Sequence, residues 1–242
     1  GENGAAMAGI NVDTYRHFGR LGSGAVMGAK NLKGIAIQGR QLIRVNDPGA
    51  FDAACRRGRD EIRASQVCDE LAACGTSSAV PFAAGIGSIP FRNYQNQADD
   101  AAERLGDAGQ RRHLFLARAA CFGCPIHCSQ MGAVRTGKHA AFVSDTVEYE
   151  TAAMLGSNLD IHDIRAVAHL NRRCDEYGLD TISTGNVIGF AFEAAEKGLL
   201  TPPPGIDLRF GCIAGADYLI GAIATLSGEL GRLLAKGVRR AS

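Results

Sequence analysis

The chain has 242 residues, of which 46% are hydrophobic and 21% charged, and its formal net charge is +1. These values suit a globular protein of one large domain or two modest ones, and they give no electrostatic reason to expect nucleic acid or a membrane surface as a partner. A membrane-spanning helix needs about 18 or more apolar residues in a row, and no such run is present. Eight cysteines without a recognisable secretion signal favour a reducing compartment, and we expect the cytoplasm.

A glycine-dense stretch occupies residues 19–30. Such a run can bring backbone N–H groups close to an anion, with Arg20 and Lys30 as counter-charges. It can equally serve a tight turn or close packing of the backbone. Both interpretations stay open at this point.

The predicted elements in the first half of the chain are few. Two short strands are predicted at 32–37 and 42–45. The Asn-Asp-Pro sequence at 46–48 predicts a helix that begins there and runs to about residue 73. The residues on or near its buried side would be Phe51, Cys55, Ile62, Val67 and Leu71. Residues 75–97 are predicted to be loop, and a second helix at 99–118 leads into the cysteines described below.

The second half of the chain is predicted to be helical after a first extended segment. The extended segment is 132–147, and the helices are 149–155 (interrupted by glycine at 156), 163–177, 181–197, 214–226 and 228–236. The fold class predicted from these elements is mainly α with a small β portion at the N-terminus.

Three cysteines within eight residues form the strongest chemical signal. Cys121, Cys124 and Cys128 have C-x2-C-x3-C spacing, with a glycine and a proline between them. Loops of this kind hold iron–sulfur clusters or zinc, both of which need four ligands. The neighbouring His127 is poorly placed to share one tetrahedral ion with Cys128. The pattern therefore predicts a metal site, iron–sulfur or zinc, whose fourth ligand lies elsewhere.

A second signal is the sequence Asp175-Glu-Tyr-Gly-Leu-Asp-Thr181. Gly178 is suited to end one helix, and Asp180 or Thr181 to cap the next, which requires no ligand. Alternatively, Asp175 and Asp180 could accept hydrogen bonds from a ring N–H of a bound ligand.

Glu148 and Glu150 are two residues apart in a segment predicted to be extended. We expect the two glutamates of this strand-like step to point to opposite faces, so that only one of them can face a buried site. A carboxylate there could accept a proton beside a redox centre.

Several stretches occur together in a characteristic order along the whole chain. They are Gly19-Arg20, 24–33 (Gly-Ala-Val-Met-Gly-Ala-Lys-Asn-Leu-Lys), Arg92-Asn-Tyr-Gln95, the cysteines of 121–128, Glu148-Tyr-Glu-Thr151, Gly156-Ser-Asn158, 174–185 and 231–238. In this order they resemble the tungsten-containing aldehyde:ferredoxin oxidoreductase family. One departure is Gly-Arg-Leu-Gly-Ser-Gly, where family members usually have Gly-Arg-Gly-Gly-Leu-Gly.

The resemblance implies a tungsten (or molybdenum) bis-pterin centre beside a [4Fe–4S] cluster, with a magnesium ion bridging the pterin phosphates. It implies oxidation of a small aldehyde to a carboxylic acid, with electrons passed to ferredoxin or another carrier. It further implies that the chain is a fragment of an α+β multidomain oxidoreductase, inactive alone. Residues 1–45 would be the C-terminal part of a β-rich pterin-binding domain, and 46–242 a mostly helical domain.

The resemblance also implies roles for individual residues. The cluster ligands would be Cys121, Cys124 and Cys128, with the fourth ligand expected outside this chain. The residues that bind the pterin cofactor and its magnesium would be Arg20, Leu21, Arg92, Asn93, Asp175, Gly178, Leu179, Asp180 and Thr181. The catalytic carboxylate would be Glu150, in preference to Glu148.

Two other functions are weighed beside this one. The first is a family relative that acts on another substrate, by reduction of an aromatic thioester or a carboxylic acid. The second is a non-catalytic helical module, stapled by zinc, that binds a partner protein. A homodimer is left open as the assembly.

Overall fold

The computed structural model describes residues 1–12, 16–96, 100–143 and 145–242. Its α-helices are α1 Ser23–Ala29, α2 Pro48–Arg63, α3 Gln66–Cys74, α4 Ala79–Gly85, α5 Asp107–His113, α6 Tyr149–Thr151, α7 Ile164–Tyr177, α8 Thr181–Glu196, α9 Ile213–Thr225, α10 Gly228–Leu234 and α11 Val238–Ala241. Its strands are β1 Ile10–Val12, β2 Arg16–Phe18, β3 Phe115–Ala119, β4 Ser129–Val134 and β5 Ala141–Val143. Shorter 3₁₀ segments are Arg20–Gly22, Gly75–Ser78, Asp100–Leu105 and Ser157–Leu159, and Ala152–Gly156 is a π-helix. The fold is mainly α with a small β portion, as predicted.

The core lies among helices α7 to α10. Helix α7 begins where the Asp163 carboxylate accepts the N–H of Arg165, and it ends at Gly178 in the left-handed conformation. Its inner face includes Leu170 and Cys174, both fully buried. Burying an apolar side chain of this size stabilises the fold by about 1.5–3 kcal/mol. The helices predicted at 163–177, 181–197, 214–226 and 228–236 are therefore confirmed to within about two residues at each end.

Helix α8 packs tightly against the π-helix at Ala152–Gly156. A Cβ atom added at Gly185 would lie 2.4 Å from the carbonyl oxygen of Met154, so only glycine permits this approach. The helix predicted at 149–155 is thus realised as α6 and the π-helix together. It ends at Gly156, where an interruption was predicted, and a separate 3₁₀ turn follows at Ser157–Leu159.

The three-stranded antiparallel sheet has the order β3–β4–β5. Strands β3 and β4 form a hairpin whose last pair is Ala119 with Ser129, so the cysteines occupy its connecting loop. The helix predicted at 99–118 is wrong beyond residue 113, because the backbone of β3 pairs with β4 and this tertiary pairing overrides local helical preference. Residue 99, where that helix was expected to begin, lies outside the described residues, as do 97 and 144.

The strands predicted at 32–37 and 42–45 are wrong. Neither segment is a strand, and Ile37 and Leu42 are 90% and 95% exposed. A strand needs a neighbour for its hydrogen bonds, and no described residue pairs with these segments. The β structure near the N-terminus is instead the antiparallel pair of β1 and β2.

The helix predicted from residue 46 to 73 starts as expected but is broken in two. Asp47 caps α2 through the N–H of Ala50, and Ser65 ends the continuity by capping α3 through the N–H of Cys68. Of the apolar residues expected on the buried side, Phe51 and Val67 are 56% and 66% accessible. The others, Cys55, Ile62 and Leu71, are half-buried. The loop predicted at 75–97 contains a 3₁₀ turn and α4.

The glycine-dense stretch forms the short helix α1, which lies against the first residues of the chain. A Cβ atom at Gly24 would meet the carbonyl oxygen of Gly9 at 2.2 Å, and one at Gly28 would meet that of Gly1 at 2.3 Å. Close backbone packing therefore accounts for these glycines. None of the helices in the described part of the chain has both the length and the apolar character that crossing a membrane would take.

Candidate functional site

A cleft of about 340 Å³ opens between β2, the start of α6 and the junction of α7 with α8. Its lining residues are Gly9, Arg16, His17, Gly19, Arg20, Asp145, Thr146, Glu148, Glu150, Thr151, Asn171, Asp175, Leu179, Asp180, Thr181 and Ile182. The residues that sequence patterns single out near 20, 150 and 180 therefore converge on one cavity.

One wall of the cleft is the junction between α7 and α8. The carboxylate of Asp180 accepts the N–H of Ile182 at 3.1 Å and of Ser183 at 3.0 Å, which caps α8. Its side chain is 5% exposed, and the guanidinium Nε of Arg20 lies 3.8 Å away. The capping interpretation of Asp180 is therefore correct. A carboxylate has about four lone-pair sites, so Asp180 keeps acceptor capacity for a ligand in the cleft.

Asp175 faces the same cavity from the last turn of α7. One carboxylate oxygen lies 3.1 Å from Nε2 of His17, and the other accepts a hydrogen bond from Asn171 at 3.2 Å. The opposite nitrogen of His17 lies 2.9 Å from the amide oxygen of Asn11. These contacts fix the direction of the Asp175 carboxylate before any ligand binds.

The opposite wall is organised by Arg16. Its guanidinium lies 2.7 Å from Asp145 and 2.7 Å from Glu148, and it also donates to the hydroxyl of Ser129. Burial, together with the nearby negative charge of Glu148, raises the pKa of Asp145 to about 7, although Arg16 opposes this shift. A carboxyl group that titrates near neutral pH is suited to exchanging protons.

Glu148 and Glu150 both line the cleft, contrary to the expectation that only one would face it. The extended conformation ends at Glu148, and helix α6 begins at Tyr149, so Glu150 lies in a helical turn instead of a strand. Glu148 is paired with Arg16, whereas Glu150 forms no ion pair with any described residue.

The cysteine loop, residues 120–128 between β3 and β4, borders the wall that carries Arg16 and Glu148. The N–H of Cys124 donates to the carbonyl of Cys121 at 3.0 Å, and Gly123 and His127 adopt the left-handed conformation, with φ of 71° and 62°. Cys121 is exposed, while Cys124 and Cys128 are half-buried. Burial, then the charge of Glu148, raises the pKa of the Cys128 thiol.

No three His, Cys, Asp or Glu side chains are placed to hold a metal ion within residues 1–12, 16–96, 100–143 and 145–242. The convergence of Cys121, Cys124 and Cys128 on a metal therefore stays a prediction.

Not every predicted site residue lies at the cleft. Arg92 and Asn93 contact Glu196 and Glu193 at the C-terminal end of α8, at 2.6 Å and 2.5 Å, and they do not line the cavity. Leu21 is 99% exposed and does not line the cavity. Leu179 and Thr181 line the cleft, and Gly178 shapes it by ending α7.

Sequence patterns alone missed several residues that line the cleft, of which Arg16, His17, Asp145 and Asn171 make the ion pairs and hydrogen bonds described above. A signal was available only for Asn171, a polar residue on the apolar face of α7 and four positions before Asp175, the spacing at which helical side chains meet. Arg16, His17 and Asp145 reach the cleft through contacts distant in sequence.

Two family models match the chain and place it in one class of redox enzyme. The model described as "Aldehyde ferredoxin oxidoreductase, domains 2 & 3" matches residues 53–242. The model described as "Aldehyde ferredoxin oxidoreductase, N-terminal domain" matches residues 1–39. The chain therefore belongs to the aldehyde ferredoxin oxidoreductase family.

Particular relatives agree with this assignment. The tungsten-containing aldehyde ferredoxin oxidoreductase of Thermococcus kodakarensis is 36% identical over 248 residues, which is 99% of this chain and 40% of the relative. The protein of that name from Pyrococcus furiosus is also 36% identical, over 99% of this chain and 40% of its own length. The "Aliphatic sulfonate oxidoreductase, WOR-like subunit" of Pyrococcus furiosus is 32% identical over 100% of this chain and 39% of its length. The chain thus spans about 40% of the length of these relatives.

A solved structure shares the fold. The active site complex BamBC of benzoyl coenzyme A reductase, in complex with 1,5-dienoyl-CoA, matches with a TM-score of 0.75. The match covers 100% of this chain and 38% of that chain, at 21% sequence identity.

Proposed function

We propose that this chain forms one side of a tungsten bis-pterin centre and carries three ligands of a [4Fe–4S] cluster in an aldehyde-oxidising enzyme. The enzyme would convert small aldehydes to carboxylic acids and pass the electrons through the cluster to ferredoxin or another carrier. One observation carries the proposal. A single cleft collects the Asp175–Asp180 junction, Arg20 and the two glutamates, with the cysteine loop beside it.

The wall formed by the junction of α7 and α8 has side chains suited to binding a pterin. Ring N–H groups need acceptors, and Asp175 and Asp180 offer carboxylate oxygens at the cleft that are already held in fixed directions. Arg20, with 61% of its side chain exposed, can turn toward a phosphate, for which a guanidinium is well suited. Leu21 has no polar side-chain atom, so it would contribute to a phosphate-bridging magnesium only through its carbonyl oxygen.

Arg92 and Asn93 would belong to a separate part of the cofactor region, since their side chains are engaged by Glu196 and Glu193. The two family models meet between residues 39 and 53. This supports the proposed division of the chain into 1–45 and 46–242.

The tungsten centre, when bound, supplies the two-electron chemistry of the reaction. Glu150 is the proposed proton acceptor, because it faces the cleft without an ion-pair partner among the described residues. Glu148 is held by Arg16 and is better suited to fixing the position of that arginine.

The cysteine loop suits a cluster by its donor chemistry. Three thiols lie on one hairpin loop, and two left-handed residues allow the loop to turn back on itself. Ser129, the residue after Cys128, accepts a hydrogen bond from Arg16. A cluster held here would therefore adjoin the wall that carries Glu148.

The test is metal analysis and catalysis by the natural protein that contains this chain, purified without air. We expect tungsten or molybdenum together with about four iron atoms per cluster, and aldehyde-dependent reduction of ferredoxin or a viologen dye. One zinc per chain without iron, tungsten or molybdenum would instead establish the zinc-stapled module.

The substitution Glu150→Gln should lower kcat by about 10²-fold or more, because general acid–base groups contribute about 10²–10⁴-fold, while the metal content stays unchanged. The matched control is Glu148→Gln, from which we expect a smaller loss of kcat. Equal losses in the two variants would contradict the assignment of the proton acceptor to Glu150.

A second substrate class is supported by the relatives themselves. One is named for an aliphatic sulfonate, and the structural neighbour for benzoyl coenzyme A. The same cleft could therefore serve an oxidoreductase with another substrate. A panel of aldehydes, aliphatic sulfonates, carboxylic acids and aromatic thioesters, assayed with the metal-loaded protein, separates these candidates.

A further inference from the structure

Residues 73–76, called here the 73–76 turn, are the last two residues of α3 and the first two of the 3₁₀ helix Gly75–Ser78, and a loop was predicted from residue 75. It contacts both the cysteine loop and the start of α6. We propose that the 73–76 turn positions the cysteine loop relative to Glu148 and Glu150, so that one rigid segment sets the geometry of both groups. The inference rests on the proposed function for its catalytic meaning, and its contacts can be tested separately.

The first contact is with the cysteine loop. Gly75 is buried and left-handed, with φ of 65°, and a Cβ atom there would lie 3.0 Å from the carbonyl oxygen of Cys128. The side-chain amide of Gln130, 3% exposed, donates to the carbonyl of Ala73 at 3.1 Å. The backbone on both sides of Ser129 is therefore held against the turn.

The second contact is with the carboxylates. The hydroxyl oxygen of Thr76 accepts the backbone N–H of Tyr149 at 3.0 Å. That N–H belongs to the first turn of α6, which a helix cannot satisfy itself, and the side chain of Glu148 does not cap it. Thr76 thus acts as a cap supplied from elsewhere in the chain, and it holds the backbone between the two glutamates.

The turn is itself anchored. Arg111 on α5 donates to the carbonyl of Ala73 at 2.5 Å and is held by Asp107 at 2.8 Å. The hydroxyl of Ser77 donates to the carbonyl of Cys74 at 2.8 Å. A turn held by these contacts can fix the positions of the groups that it touches. Such positioning matters because a displacement of about 1 Å at reacting groups can lower a rate by about 10²-fold.

The opposite end of the cysteine loop is less restrained. Cys121 is exposed, and the adjacent Phe122 has its whole side chain in solvent. Of the three cysteines, Cys128 is therefore the one whose position the 73–76 turn determines.

The test uses Thr76→Val, which keeps the shape but removes the acceptor, with Thr76→Ser as the conservative rescue. In the metal-loaded natural protein, Thr76→Val should lower kcat about tenfold with KM unchanged, and Thr76→Ser should restore it. Hydrogen exchange should show the Tyr149 amide exchanging about tenfold faster in Thr76→Val only.

Gly75→Ala tests the other contact, with Gly58→Ala as its control, because a Cβ atom at Gly58 meets nothing within 4 Å. Gly75→Ala should speed amide exchange in residues 124–130 and change the electron paramagnetic resonance spectrum of the reduced protein, whereas Gly58→Ala should do neither.

The outcomes separate the two proposals. Unchanged exchange at Tyr149 in Thr76→Val and at 124–130 in Gly75→Ala would overturn the positioning role, whatever metals the protein holds. A lower Tm with kcat and the spectrum unchanged would also overturn it, since the turn would then be merely structural. A natural protein without iron, tungsten or molybdenum would overturn the proposed function, while the exchange experiments would still decide whether the turn holds both segments.

Discussion

The two walls of the cleft are built in different ways. The wall that carries Asp175 and Asp180 consists of consecutive helices whose ends are set by neighbours in sequence. The wall that carries Arg16 and Glu148 is assembled from segments more than 100 residues apart, joined by ion pairs and single hydrogen bonds. The first wall belongs to the densely packed core, so it can hold a ligand rigidly. The second wall depends on a few polar contacts, so a single substitution there can change the charge or the position of its side chains.

The largest expected effect tests the difference in packing. Leu170 in α7 is fully buried, whereas Leu116 in β3 is 47% exposed. Leu170→Ala should lower the free energy of unfolding by about 2–5 kcal/mol, and the matched Leu116→Ala by less than about 0.5 kcal/mol. Thermal or urea unfolding of the natural protein measures both. Similar losses would contradict the tighter packing of α7.

An intermediate effect separates the two roles of Asp180. Asp180→Ala removes the cap of α8 and should cost about 1 kcal/mol of stability, whereas Asp180→Asn keeps an acceptor for the backbone and should cost little. Asp180→Asn also removes the negative charge beside Arg20. We expect it to reduce tungsten and pterin content with Tm nearly unchanged. A stable Asp180→Asn protein with full cofactor content would confine this residue to capping.

The smallest expected effect concerns pH and the turn between β4 and β5. The ring of His139 in this turn stacks on His169 of α7, with centroids 4.4 Å apart. Burial, followed by His169 and Lys138, lowers the pKa of His139 below its usual 6.5, although Asp163 and Asp217 oppose the shift. Its Nε2 has no hydrogen-bond partner among the described residues.

Because the packed state disfavours protonated His139, the stability from this contact is complete above pH 6.5 and is lost as the pH falls below it. The loss should be small, since the ring is only half-buried and solvent screens the charges around it. His139→Gln should flatten the dependence of Tm on pH between about 7.5 and 5.5. An unchanged pH dependence in this variant would contradict the account.

The contrast between the walls also explains what could be predicted from sequence. The helices around Gly178 and Asp180 were predicted closely because capping residues and apolar spacing are local signals. The three cysteines were predicted as candidate ligands from their spacing. The hairpin that carries them was not predicted, because β3 forms only by pairing with β4. The side chains of Arg16 and Asp145 could not be placed at the cleft, because nothing in their local sequence indicates which distant segment they meet.

The errors near residues 32–73 have a related cause. The pattern of apolar residues predicts a buried face for α2 and paired strands before it, yet Ile37, Leu42 and Phe51 are exposed. Apolar spacing indicates which side of an element is suited to burial. It does not identify what the element packs against.

The π-helix at Ala152–Gly156 has a consequence for how this family can vary in length. A π-turn holds one residue more than an α-turn, so removing a single residue here would narrow the turn and repack a segment whose side chains are all buried. Ser157 and Asn158, which donate to the carbonyls of Pro90 and Gly185, follow it directly. Deletions should thus be tolerated in the exposed turn at 135–138 and rejected in the buried segment at 152–156, even though both are short stretches of small or flexible residues.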